Sequence, residues 1–186
     1  MFVLSDSKNQ LRNIVRSDCK YKGRIIDLRV DTVKFPSGSE KVREVVLHKS
    51  AVGILPVNDR GEIILVRQYR HAIDEDIYEI PAGLVEEGED PRETAVREMQ
   101  EEIGYRPGHM EEIAEFYSSP GFCTEKITVY YADELTSSKL PEDEDEYIKV
   151  FAFAPEELEK MIAEKKIKDG KTLMAFYWYM ARRPQK

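Results

Sequence analysis

The segment GLVEEGEDPRETAVREMQEEIGY, from Gly83 to Tyr105, constrains the chain more than any other. Asp90 is a good N-cap, Pro91 suits the first helical position, and Glu93 stands three residues after Asp90 as a capping-box partner, so a helix is predicted to start here. Ala95, Met99 and Ile103 recur every four residues and form an apolar stripe suited to face a sheet. Glu98, Glu101 and Glu102 then share a different face, near the helix end where the macrodipole disfavours anions. Like charges at this spacing repel, each pair costing a few tenths of a kcal/mol. A solvated acidic face is the plain reading of a Glu-rich helix. Here, however, only Arg97, with its neighbours Glu93 and Glu101, stands at a helpful spacing. A hard divalent cation held by carboxylate oxygens would remove the repulsion, and metal binding is the simplest compensation.

A chain of 186 residues has room for one sizeable core plus an appendage. Its net charge of -8 argues against a nucleic-acid surface, which needs a basic face to displace phosphate counterions. An anionic substrate would therefore need metal ions or locally placed arginines. Cys19 and Cys123 are far apart and outside any C-x-x-C spacing, which suggests neither a disulfide framework nor a zinc site. The stretch MFVLSDSKNQLRNIVR carries polar residues early and no long apolar run, so a cytoplasmic protein with neither signal peptide nor membrane span is expected.

Along the chain, RIIDLRVDTVKF and KVREVVLHK flank FPSGSE and read as a β-hairpin with Pro36 and Gly38 in its loop. AVGILPV and EIILVRQYR are joined by the turn NDRG and look like central strands buried on both faces. MEEIAEFYSS and ITVYYAD are two further strands, and YIKVFAF a last one after the acidic stretch PEDEDE. PEELEKMIAEKK, with Pro155 in its first turn, and TLMAFYWYMARR read as helices, the second packing its aromatic residues.

Gly83, then Glu89 after five residues, then REMQEEIGY from Arg97 after seven more, resembles the Nudix box at every fixed position. Only Tyr105 departs, where the pattern usually has an aliphatic residue that packs. The resemblance implies an α/β fold of the Nudix type: an α/β/α sandwich with a mixed sheet over residues 49–186, preceded by the N-terminal β-hairpin region, 1–48. It also implies hydrolysis of a nucleoside diphosphate linked to another moiety, using magnesium or manganese. Carried over by position, Glu98 and Glu102 become principal metal ligands, Glu101 a further ligand, and the backbone carbonyl of Ala82 another. Arg97 would hold the glutamates in orientation, and Glu89 would fix the loop against the helix.

Pro120 in SSPGF, sixteen residues after Gly104, resembles the signature of the ADP-ribose pyrophosphatase subfamily. That likeness implies a general base in EDEDEYIKV, with Glu144 the first choice and Glu146 the second. It further implies a homodimer formed through the N-terminal hairpin, with Arg43 reaching the partner's substrate, Arg70 contacting the diphosphate or ribose, and Glu125 a weaker candidate for substrate contact. The expected reaction splits ADP-ribose into AMP and ribose 5-phosphate. The alternatives are another nucleotide sugar such as GDP-mannose, a dinucleoside polyphosphate, or a non-enzymatic ADP-ribose sensor.

Overall fold

The computed structural model describes residues 13–141 and 147–183, which form two compact units. The first comprises residues up to Ser50 together with Tyr117–Lys126. Its framework is an antiparallel sheet in the order β1-β2-β3, with β1 at Asn13–Lys22, β2 at Ile26–Lys34 and β3 at Glu40–His48. The expected hairpin is β2 and β3, paired from Ile26↔His48 to Lys34↔Glu40. Strand β1 was not legible in the sequence, because NIVRSDCKYK is mostly polar and its pairing with β2 is broken by two register shifts. Asp31 is buried in this sheet and accepts from Ser17 Oγ at 2.7 Å and from Arg29 Nε at 3.1 Å. The segment 117–126 lies along the β3 edge: Val46 N–H donates to Phe122 O at 2.7 Å, and Thr124 N–H to Val46 O at 3.0 Å. Ile14, Val15 and Val42 stay exposed.

The second unit holds two principal sheets. One has the order β7-β4-β10-β9, with β4 at Ala51–Pro56, β7 at Ala82–Leu84, β9 at His109–Tyr117 and β10 at Lys126–Asp133. Strand β4 runs parallel to β10 and antiparallel to β7. The other sheet is antiparallel in the order β12-β5-β6, with β5 at Ile63–Arg70, β6 at Glu75–Glu79 and β12 at Lys149–Phe153. A short pair joins β8, Tyr105–Arg106, to β11, Thr136–Ser137.

The NDRG turn forms, with Asn58 N–H donating to Glu62 O and Gly61 N–H to Asn58 O. It does not make a hairpin, however, because beyond the single bridge Val57↔Ile63 the two strands enter different sheets. A strand buried on both faces still needs a neighbour on each edge, and β4 finds its two in β7 and β10.

Alternation sorts the core. Val52, Ile54, Ile64, Val66, Tyr130 and Ala132 face a cluster completed by Ala95, Met99 and Ile103. Leu55, Ile63, Leu65, Ile127 and Val129 face the opposite cluster, with Leu158, Ala175 and Phe176. The first cluster takes helix α1, Pro91–Glu98, and the second takes α2, Pro155–Ala163, and α3, Gly170–Arg182. This is the expected α/β/α sandwich. The aromatic residues of α3 mostly pack, Phe176 fully buried and Trp178 and Tyr179 against Tyr131, while Tyr177 is exposed.

Candidate active site

Helix α1 starts as its sequence requires, with Asp90 Oδ1 accepting from Arg92 N–H at 2.7 Å and Pro91 in the first position. After Glu98 the backbone changes to a π-helical turn, Met99–Ile103, which Gly104 ends at φ 74°, a conformation natural to glycine. This turn carries Glu101 and Glu102. Glu98 and Glu101 remain together on Arg97, whereas Glu102 turns inward, is 4% exposed, and accepts from Ala82 N–H at 3.0 Å.

Arg97 is the charge centre. Its Nη1 donates to Glu98 Oε1 at 2.7 Å and Glu101 Oε2 at 2.8 Å, while Nε and Nη2 donate to the two oxygens of Glu89 at 3.1 and 3.2 Å. These bonds, that to Glu89 foremost, hold the guanidinium firmly protonated against the opposing effect of burial. The repulsion read from the sequence is therefore offset within the chain by one planar cation. Glu89 also accepts from Glu86 N–H at 3.2 Å, tying the loop before α1 to the helix.

The Glu89 carboxyl is pulled from its ordinary 4.5 down to about 2, first by Arg97, with burial opposing and the Glu86 N–H assisting. A depressed folded-state value means that this stabilisation is complete above pH 4.5 and is lost as pH falls towards 2. In urea titrations across that window, the stability of the wild type is expected to fall more steeply than that of Glu89→Gln. Equal slopes would count against the assignment.

The backbone beside these carboxylates is equally restricted. A Cβ added to Gly83 would lie 2.0 Å from both Cδ and Oε1 of Glu98, so this carboxylate packs directly on β7. Glu98 at Gly83 and Glu102 at the Ala82 N–H thus flank one short stretch of strand. Among the described residues no three His, Cys, Asp or Glu side chains are grouped closely enough to hold an ion. The donor chemistry nevertheless fits a hard divalent cation, since the groups beside Ala82 and Gly83 are carboxylate and carbonyl oxygens.

The remaining candidates are distributed elsewhere. Arg70, at the end of β5, makes a bidentate pair with Glu79, Nε to Oε1 at 2.6 Å and Nη2 to Oε2 at 2.9 Å. Burial opposes its charge, but Glu79 outweighs burial and raises its pKa. The charge of Glu102 also acts on Arg70, which puts the two in one electrostatic neighbourhood. Arg43, Pro120 and Glu125 belong to the first unit. There Arg43 lies over the Phe35 ring and donates to Val42 O, and Glu125 Oε1 is 3.6 Å from His48 Nδ1. Glu144 and Glu146 lie outside the described residues. Tyr105 packs against the core cluster beneath α1, as its place in the motif implied.

Sequence reasoning missed Glu79, which is 1% exposed. Its signal was an acid inside the apolar run IYEIPAG, which a buried strand tolerates only with a charged partner.

The NUDIX domain model matches residues 47–176. The chain belongs to the Nudix family. Members of this family generally need divalent cations, which agrees with the donor set around Ala82 and Gly83. Over 160 residues the chain is 41% identical to an ADP-ribose pyrophosphatase of Bacillus subtilis (strain 168), covering 85% of this chain and 86% of that relative. It is 39% identical over 163 residues to a methanol dehydrogenase activator of Bacillus methanolicus, covering 87% of this chain and 88% of the relative. A crystal structure of an ADP compounds hydrolase matches with a TM-score of 0.82 over 90% of this chain and 91% of that one. At 20% identity, this last likeness is one of fold and confirms the Nudix architecture. Among the described residues no helix is long and apolar enough to cross a membrane.

Proposed function

We propose that this Nudix chain is a diphosphatase that hydrolyses ADP-ribose to AMP and ribose 5-phosphate with magnesium or manganese. The observation that carries the reading is the carboxylate array of α1 and the π turn, set against β7 and ordered by Arg97, in a chain 41% identical to an ADP-ribose pyrophosphatase. Glu98 and Glu102, with Glu101 and the Ala82 carbonyl, would hold the cation. When bound, it supplies positive charge to the diphosphate oxygens and makes a coordinated water more acidic.

The chain's own groups do the rest. Arg97 orients Glu98 and Glu101, and the Ala82 N–H fixes Glu102. Arg70 presents a half-exposed guanidinium suited to an anionic diphosphate. Water attacks phosphorus, the bridging P–O bond breaks, and a carboxylate of the acidic loop, Glu144 or Glu146, accepts the proton of the water. The subfamily likeness adds Pro120, Glu125 and Arg43 of the partner copy as proposed substrate contacts.

Incubation with ADP-ribose and magnesium in oxygen-18 water should give AMP and ribose 5-phosphate, one of them carrying a single heavy oxygen. Higher kcat/KM on GDP-mannose or a dinucleoside polyphosphate would replace the substrate, and binding without turnover would make the chain a sensor.

The same reading makes the protein cytoplasmic and homodimeric, with residues 1–48 as the dimerisation region and 49–186 as the hydrolase. In support, Ile14, Val15 and Val42 leave apolar surface on the N-terminal sheet, and burying it gains about 25 cal/mol per Å². Light scattering at micromolar concentration should report twice the chain mass, and a monomer would refute this arrangement.

A further inference from the structure

Lys171 stands in the first turn of α3, where the helix macrodipole disfavours a cation. Its side chain is nonetheless only 10% exposed. Two acids hold it there: Nζ lies 2.5 Å from Glu79 Oε2 and 3.1 Å from Asp169 Oδ1. Asp169 is itself drawn to the helix terminus, its Oδ2 accepting from Thr172 N–H at 2.9 Å and Thr172 Oγ1 at 2.6 Å. Thr172 Oγ1 in turn accepts from Ile80 N–H at 2.8 Å, so the residue after Glu79 is tied to the same turn.

Glu79 therefore has two cations, Arg70 on one side and Lys171 on the other. The bidentate bond to Arg70 already satisfies a buried carboxylate, so the lysine does something besides pairing it. An isolated Arg70–Glu79 pair is neutral and offers little attraction to a diphosphate. Lys171 shares the charge of Glu79, and the α3 N-terminus that of Asp169, so the half-exposed guanidinium of Arg70 meets less opposing charge than it would without the lysine, with Glu102 and Asp169 still acting on it.

We propose that Glu79 and Lys171 are positioning residues for the substrate diphosphate: Glu79 fixes the Arg70 guanidinium in place, and Lys171 offsets the charge of Glu79 so that Arg70 meets the substrate as a cation. This inference rests on the diphosphatase reading and adds residues that the motif does not contain.

Lys171→Met keeps the aliphatic stem and removes the charge. It is expected to raise KM for ADP-ribose about tenfold while kcat changes less than about threefold. Lys171→Arg should restore KM. On an Arg70→Ala background Lys171→Met should add no further rise, because the lysine acts through the arginine. If Lys171→Met does not fold, Lys171→Gln still offers Glu79 an N–H donor without charge and must show the same rise. A KM within twofold of wild type in the folded neutral variant, or a full effect on the Arg70→Ala background, overturns the proposal alone. Absence of ADP-ribose turnover by the wild type overturns it together with the reading on which it rests.

Discussion

Glu102→Gln is expected to lower kcat at least about 100-fold at saturating magnesium while the protein stays folded. The side chain is buried, and its carboxylate accepts from the Ala82 N–H. Glutamine is nearly isosteric and keeps a carbonyl oxygen that can accept the same bond, so β7 and the π turn stay joined. What is lost is a negative charge at the place proposed for the cation. Thermal unfolding in excess chelator separates the two effects. The variant should be about as stable as the wild type, since the bond to the Ala82 N–H is kept and the buried side chain no longer carries a charge. Raising the magnesium concentration should recover part of the rate. Wild-type turnover by this variant would remove Glu102 from the ligand set.

Gly83→Ala is expected to separate activity from stability in the same direction. The new methyl group would sit 2.0 Å from the Glu98 carboxylate, a distance that no packing tolerates. The obstructing atoms are the far end of a flexible side chain, so Glu98 can rotate away from β7. The fold should therefore lose no more than about 1–3 kcal/mol, the usual cost of overpacking. Glu98 would, however, leave both the strand and Arg97 Nη1, and turnover should fall about 100-fold with a raised requirement for magnesium. Enzyme assays paired with urea unfolding test this. A variant that is fully active would show that the close approach of Glu98 to Gly83 has no catalytic part, and one that cannot fold would show that the glycine serves the core.

Much of this site could be read from residues near one another in the chain. Asp90 and Pro91 fix where α1 starts, and the stripe Ala95, Met99 and Ile103 fixes which side it buries, because capping and periodicity are local properties. The two-faced strands β4 and β5 were equally plain, since an apolar run without alternation has nowhere to lie but between two layers. Their assignment to different sheets was not, because a turn fixes chain direction and says nothing about which edges pair.

The spacing of Glu98, Glu101 and Glu102 announced a cluster of like charges, and by itself the sequence determined that such a cluster needs positive charge. Arg97 was legible as that charge, and tertiary structure decided how many carboxylates it gathers and where Glu102 goes. Arg97 gathers Glu89, Glu98 and Glu101, and the π turn sends Glu102 inward to Ala82. The Arg97–Glu101 pair, four positions apart, follows from the helical period, whereas the bonds from Arg97 to Glu89 in the loop and from Ala82 to Glu102 do not. Lys171 meets Glu79 across 92 positions, and Arg70 meets the same carboxylate across nine. Contacts of this kind are set by how β5, β6 and α3 pack. They become visible only when the fold has brought the three elements together and left a buried carboxylate that must find its cations there.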